Sequence, residues 1–394
     1  LNVRGFVNSA RTNTHVLLDG VRQNRITGDE VHWQAIPVDQ LERIEIIRGG
    51  GGLIYGEGAL AGVINLVTKQ AGERLLEADG GVEIGSFGWQ QYDVSARGQS
   101  APLRYGTSYT RRLVDGYREF SWSRNTTITA HGGMQVVPGL QTDVRALHSE
   151  DTTAFPGLLT LAQSQTRQQQ TNSFHGINTN ETDQVSWDLV AGPWEGLTNA
   201  LTLFWTRRVQ TSEDSINFNA FTVTPTHGLH ARTNAEWTHG LVHNLFVSGI
   251  ELAQDKATTG DPGVGPDSES NRGAYGLYAE DTLSFTDRLS FVTGLRYDKS
   301  RYQTDLTFPA FNGTLRFEGW SPRVGLRMAA IPHTLELFTS YARPFKAPNV
   351  DDFASRSPEF KGNISLQPQQ ADAYEIGARV RSGPVTANAT WFYT

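Results

Sequence analysis

Arg48-Gly49-Gly50-Gly51-Gly52-Leu53-Ile54-Tyr55-Gly56-Glu57-Gly58-Ala59-Leu60-Ala61-Gly62-Val63-Ile64-Asn65-Leu66-Val67-Thr68-Lys69 is the stretch whose reading decides the fold. Its first fifteen residues hold seven glycines: Gly49, Gly50, Gly51, Gly52, Gly56, Gly58 and Gly62. A residue without Cβ accepts positive φ and close backbone approach, so this half predicts a tightly folded turn. From Val63 the stretch becomes a β-branched apolar run and predicts a strand. Gly56 to Ala61 also fits the dinucleotide pattern G-x-G-x-x-A. That motif must open a helix whose N-terminus holds the pyrophosphate, and a strand follows here, so nucleotide binding is not expected.

Upstream, Asn2–Phe6, Thr14–Asp19 and Leu41–Ile47 read as further short strands. Asp19-Gly20 is a turn dipeptide, and Ile36 to Glu42 suits a short helix entered after Pro37. Residues 1–72 therefore predict a compact mixed α/β unit. From about residue 77 to 394 the period becomes two. Leu289, Phe291, Thr293, Leu295 and Tyr297 alternate with Arg288, Ser290, Val292, Gly294, Arg296 and Asp298. Val185, Trp187, Leu189 and Ala191 stand opposite Gln184, Ser186 and Asp188, and the segments at 374–380 and 385–393 repeat the pattern. Such alternation marks half-buried strands.

The connections carry more weight. Long polar stretches fall near 115–122, 150–180, 210–227, 255–271, 300–317 and 344–369, with short turns between them near 99–102, 133–137, 193–196, 239–241, 286–287, 331–332 and 382–383. This divides the chain into roughly fifteen strands, each long enough to cross a bilayer. Long loops at one end and short turns at the other are the layout of an outer-membrane barrel; a soluble sandwich has no reason to sort its loops, and no four-strand propeller period is present. Trp89, Tyr92, Tyr105, Tyr109, Trp187, Trp205, Trp237, Tyr275, Tyr278, Tyr297, Tyr341 and Tyr393 lie near strand ends, as interfacial girdles would.

Composition agrees. The net charge of −7 argues against a nucleic-acid footprint, and zero cysteines exclude disulfides and thiolate metal sites. No run of 18 apolar residues predicts a transmembrane helix, and barrel strands need none. Leu1 to Phe6 starts in strand-like pattern and Val385 to Thr394 stops in it, so the expectation is a fragment open at both ends.

The chain resembles the TonB-dependent receptors of Gram-negative outer membranes. The resemblance rests on Val3-Arg4-Gly5-Phe6, Val16 to Val21, Ile36 to Gly49, Leu53-Ile54-Tyr55-Gly56 and Gly62 to Lys69. Farther on it rests on Leu277 to Asp281, Gly294 to Asp298, Ser321 to Gly325, Tyr341 to Pro348 and Ala373 to Gly377. It implies a transmembrane antiparallel barrel of 22 strands with an N-terminal plug. On that reading residues 1–72 are the C-terminal part of the plug and residues 77–394 are an incomplete barrel of about fifteen strands. The TonB-contacting segment and the final strands would lie outside this piece. The implied function is TonB-driven uptake, at the cell outer membrane, of a ferric siderophore or similar ferric chelate, with TonB and outer-membrane lipid as partners and no catalysis. The alternatives are a receptor for cobalamin or another metal-free nutrient, a passive porin, which would lack plug motifs, and an outer-membrane enzyme, for which no catalytic set is visible. The Arg-Gly-Gly-Gly string at 48–51 is similar to ferric dicitrate receptors.

The family places two plug arginines against two barrel glutamates. Arg4 and Arg48 match the arginines and Glu375 one glutamate. A desolvated arginine needs such a carboxylate, which makes these three a candidate plug–barrel lock. Arg11, Arg22, Gln23, Arg25 and His32 fall in plug loops that the family turns outward, and positive groups there suit an anionic chelate. Ten histidines are scattered; His227/His230 and His239/His243 are close in sequence, but no carboxylate completes a ligand set. No protein-held metal or cofactor is expected, and no nucleophile elbow is present.

Overall fold

A computed structural model describes residues 13–28, 30–49, 52–72, 74–172, 174–215, 219–307, 310–353 and 362–394. The first unit is a four-stranded sheet of β1 (Thr14–Leu18), β2 (Val21–Arg22), β3 (Leu41–Arg48) and β4 (Gly62–Thr68), in the order β2-β1-β4-β3. β1 runs parallel to β4, whereas β3 runs antiparallel to it. Asp19 and Gly20 both take positive φ, +50° and +81°, as a two-residue hairpin with the twist of its strands requires. The helix expected after Pro37 is a single 3₁₀ turn, Val38–Gln40. The strand expected at Asn2–Phe6 lies outside the described residues. No helix follows Gly56 to Ala61; β4 begins at Gly62.

The second unit is one antiparallel sheet of fifteen strands. In chain order these are β5 (Glu77–Ile84), β6 (Gln90–Ser100), β7 (Leu103–Val114), β8 (Ser123–Val137), β9 (Leu140–Phe155), β10 (Gly176–Trp194), β11 (Leu197–Asp214) and β12 (Asn219–His239). They continue with β13 (Val242–Asp261), β14 (Gly265–Thr286), β15 (Leu289–Leu306), β16 (Phe311–Ile331) and β17 (Leu335–Ala342). β18 (Phe345–Lys346) and β19 (Gln369–Gln370) form a separate ribbon, and β20 (Ala373–Ser382) and β21 (Val385–Tyr393) complete the large sheet. Each strand pairs with its chain neighbour, save that β20 follows β17, and β5 and β21 are the edges.

Laid flat, fifteen strands at about 4.8 Å would span roughly 65 Å. Yet the small unit touches the same face of the sheet from β6, where Gln91 donates to Asp39 at 3.2 Å, to β20, where Glu375 abuts Gly49. The sheet therefore wraps around the small unit.

Burial is inverted relative to a soluble protein. Ser149, Asp151, Thr182, Gln184, Ser186, Arg208, Arg272, Arg296 and Asp298 are buried on the inner face, while Val185, Trp187, Leu252, Leu277, Leu295 and Trp320 are exposed on the outer one. Apolar outside and polar inside is the pattern of a barrel wall in lipid. Tyr278 departs from the girdle expectation: it points inward, is 4 % exposed and meets His230.

The long stretches at 210–227, 255–271 and 300–317 are largely strand, so the hairpins on that side run well past a bilayer's thickness. Where water bathes both faces of a ladder, neither face needs to be apolar, and the alternation that reveals a strand vanishes. The stretch beginning at 344 also differs. Phe345, Ala347, Val350 and Phe353 are buried in the lumen with Ile26 of the small unit and Tyr302, Leu306 and Phe317 of the wall. Gly58 N–H donates to the Phe345 carbonyl at 3.0 Å, and Tyr302 Oη donates to that of Pro348 at 3.0 Å.

Candidate functional site

The interface between the small unit and the wall is the site to which the sequence motifs converge. The glycine turn is folded against its own sheet. A Cβ on Gly62, at φ +149°, would run into the Ile47 carbonyl oxygen. Gly52 opens a 3₁₀ turn, Gly52–Tyr55, and Gly56 and Gly58 follow it at positive φ; Gly50 and Gly51 lie outside the described residues. This compact path projects Leu53 and Glu57 onto β14 and β15. Arg296 Nη1 donates to the Leu53 carbonyl at 3.3 Å, and Leu53 Cδ1 lies against Gly294. Glu57 pairs with Arg272, whose Nη1 also reaches Asp255 at 3.1 Å and whose Nη2 donates to Ser300 at 3.2 Å. Arg296 pairs in turn with Glu251 and, at 2.8 Å, with Asp298. Both arginine side chains are 3 % exposed. Charges so far from water persist only with opposite partners, and each has two or more.

A cavity of about 80 Å³ separates this network from β1; His15, Arg22, Tyr55 and Gly56 line its plug side. His15 is 5 % exposed, and among the described residues neither ring nitrogen has a hydrogen-bond partner. Burial first, then the charges of Arg22, Arg296, Arg272 and Lys346, hold its pKa well below the usual range, so the ring is neutral.

Of the five residues expected to face a ligand, Arg11 lies outside the described residues and the rest line one side of the small unit, against the wall. Gln23 is buried; its Nε2 donates to Gln184 Oε1 at 2.9 Å, and Arg208 donates to its side-chain oxygen at 3.1 Å and to its carbonyl. Arg25 donates to Gln210 at 2.8 Å and pairs with Glu30 at 3.2 Å. His32 contacts Thr182 at 3.0 Å and Asp151. Arg22 pairs across the hairpin with Leu17. Gln210, Thr182 and Asp151 lie toward the strand ends away from the short turns, so this segment is the end of the small unit nearer the long hairpins.

Arg4, one member of the expected lock, lies outside the described residues. Glu375 stands on the inner wall against Gly49: a Cβ there would come within 2.5 Å of Glu375 Oε1. The neighbouring Arg48 side chain is exposed.

The residues that sequence reasoning passed over are Glu57, Glu251, Asp255 and Arg272. Their signal was present: a carboxylate among glycines, and charges on the inward positions of alternating strands. His148, Glu181 and Asp183 also gather within 4.8 Å on the outer face, but Arg207 pairs with both carboxylates, at 3.1 and 3.5 Å.

A family model described as TonB dependent receptor-like, beta-barrel matches residues 87–394, and one for the TonB-dependent receptor plug domain matches residues 1–63. The chain is 23 % identical to the ferric enterobactin receptor of Pseudomonas aeruginosa, over 100 % of this chain and 61 % of that protein. It is 26 % identical to the hemin receptor of Yersinia enterocolitica, over 93 % and 56 %. The chain thus spans 61 % and 56 % of these two relatives. Among solved structures it is similar to the unliganded ferric citrate transporter FecA, with a TM-score of 0.79 at 15 % identity over 97 % of this chain and 61 % of that one. The siderophore receptor PiuA of Acinetobacter baumannii gives 0.80 at 13 %, over 96 % and 64 %. At such identities the likeness is one of fold.

Proposed function

This chain belongs to the TonB-dependent receptor family, and from that membership we propose that it is part of a transporter that imports a ferric siderophore or similar ferric chelate across the outer membrane of a Gram-negative bacterium, driven through TonB. The family is one of outer-membrane transport receptors. The observation that supports transport over passive permeation is the plug seated in the wall through Glu57–Arg272 and Leu53–Arg296. A lumen filled this way admits a large solute only after the plug is displaced, and displacement requires work. We divide the chain into a plug at 1–72 and a barrel at 77–394.

The iron-chelate reading is supported by the two relatives, named for ferric enterobactin and hemin. It is also supported by the cations at the plug end facing the long hairpins. On this reading Arg22, Gln23, Arg25 and His32, with Arg11, form the floor of the ligand site, and bound ligand acts on the contacts to Gln210, Thr182 and Asp151. Arg4 and Arg48 with Glu375 form the lock at the inner wall. Titration of the intact receptor with ferric enterobactin, ferric dicitrate, hemin and cobalamin tests the reading, together with transcription under iron limitation. Binding of an iron chelate with iron-repressed transcription is expected; binding of cobalamin alone would move the assignment to a metal-free nutrient.

A further inference from the structure

The seam between plug and wall holds one titratable ring that takes no part in the contacts seating the plug. His15 lies on β1, opposite Val63 of β4. Its imidazole is pressed between the glycine turn and β13: a Cβ built on Gly56 would lie 3.0 Å from His15 Cε1 and 3.3 Å from Glu251 Oε2. Nothing bulkier than a glycine separates the ring from the wall at that point. The ring lines the cavity of about 80 Å³, and among the described residues neither of its nitrogens has a hydrogen-bond partner.

The carboxylates around that cavity are already engaged. Glu57, from the turn, pairs with Arg272 on β14 and accepts from Ser300 on β15 at 3.3 Å. Glu251 on β13 and Asp298 on β15 both pair with Arg296. His230 on β12 is held by Tyr278 Oη at 2.8 Å. Tyr55, beside His15 on the plug side, stays a neutral phenol. The charges that bear on the ring are cationic: Arg22 from β2, Lys346 from β18, and Arg296 and Arg272 themselves. A proton on the seated ring would thus be a fifth positive charge, buried without a carboxylate of its own. His32, the plug's other histidine, faces the Asp151 carboxylate instead.

We propose that His15 is a proton-binding latch of the plug: seated against β13 it excludes the proton, displaced into lumen water it binds one, and acidity therefore favours displacement. The latch rests on the transporter reading in taking plug displacement as the working motion. In water the ring regains the ordinary basicity of an imidazole, near pH 6.5. The displaced state then holds more protons than the seated one below that pH. The displaced-to-seated ratio should rise about tenfold from pH 7.5 to 5.5 and stay nearly flat above pH 7.5.

The test follows hydrogen exchange, corrected for the intrinsic rate at each pH, in the full-length receptor purified in detergent at pH 7.5, 6.5 and 5.5. The Gly58 amide is the reporter, because it donates to the Phe345 carbonyl at 3.0 Å and exchanges only when the turn moves away. Amides of β4 report unfolding of the plug itself. The control is His239→Gln, which removes an exposed histidine beside a short turn. In that control and in the unaltered receptor, the opening constant at Gly58 should rise about tenfold from pH 7.5 to 5.5 and exceed that of β4 throughout. In His15→Gln and His15→Leu it should rise less than about twofold. Either variant suffices, provided its barrel remains folded by heat-modifiable gel mobility. A flat profile in the unaltered receptor, an undiminished rise in the His15 variants, or equal opening of Gly58 and β4 overturns the proposal. A receptor that takes up ferric enterobactin or hemin yet shows a flat profile overturns only this inference. One that shows the rise but neither binds nor takes up a ferric chelate overturns the transporter reading instead.

Discussion

At the scale of single residues, the interface depends on where a side chain is missing as much as on where one is present. Gly49 takes φ +76° beside Glu375, so Gly49→Val meets both backbone strain and a clash with the carboxylate. This variant should seat the plug poorly, seen as increased entry of large hydrophilic antibiotics into cells carrying the complete receptor. Glu375→Ala should act in the same direction. Its side chain is only half-buried, so the effect should fall below the roughly 3–5 kcal/mol of an uncompensated charge in a dry site; unchanged permeability would remove Glu375 from the lock. His15 makes a separate prediction. Its folded-state pKa lies below the unfolded value, so the unfolded chain binds more protons at acid pH. The stability that its neutral form contributes is present above about pH 6.5 and is lost as pH falls below that. Unfolding midpoints of the purified receptor measured from pH 7.5 to 5 should fall, and the slope should flatten in His15→Gln.

At the scale of the element, each wall strand serves two solvents. Leu295 is exposed on the outer face of β15 while its neighbour Arg296 is buried in the plug network, one residue away. A shift of one residue would put the arginine in lipid and the leucine among carboxylates, and this fixes the register strongly. Leu295→Arg should cost about 2–4 kcal/mol near the bilayer midplane, read as lowered outer-membrane yield and a lower unfolding midpoint. An unchanged yield and midpoint would show that this face does not meet lipid. Arg272→Ala should destabilise by a similar amount for the opposite reason, because Glu57 and Asp255 would stay buried without their cation. Arg272→Ala should also raise plug mobility in hydrogen exchange, whereas Leu295→Arg should not.

At the scale of the whole molecule, the proposed transport would require the plug to leave the contacts that seat it. Leu53 Cδ1 would lie 2.9 Å from a Cβ built on Gly294, and the chain has no cysteine of its own. Leu53→Cys with Gly294→Cys should therefore form a single tether between plug and β15. Uptake of the bound chelate should stop while binding persists, and a reductant should restore uptake. Uptake that continues with the tether intact would show that this part of the plug stays in place during passage.

Period-two alternation and the glycine-rich turn were enough, on the sequence alone, to establish a mixed small unit ahead of about fifteen antiparallel strands, because both are local consequences of backbone geometry. That the two faces of each strand differ also followed, since alternation marks every second residue, but the burial of the polar face and the exposure of the apolar one are seen only in the folded wall. What lay beyond the sequence was the partnership of charges. Glu57 and Arg272 are more than two hundred residues apart, and Arg296 meets Glu251 only because β13 and β15 flank β14. The burial of Phe345 to Phe353 was likewise hidden, because a segment between two strands carries no periodicity that tells an inward fold from a solvated loop. Such contacts are set by curvature and register summed over the whole sheet, and only the tertiary structure decides them.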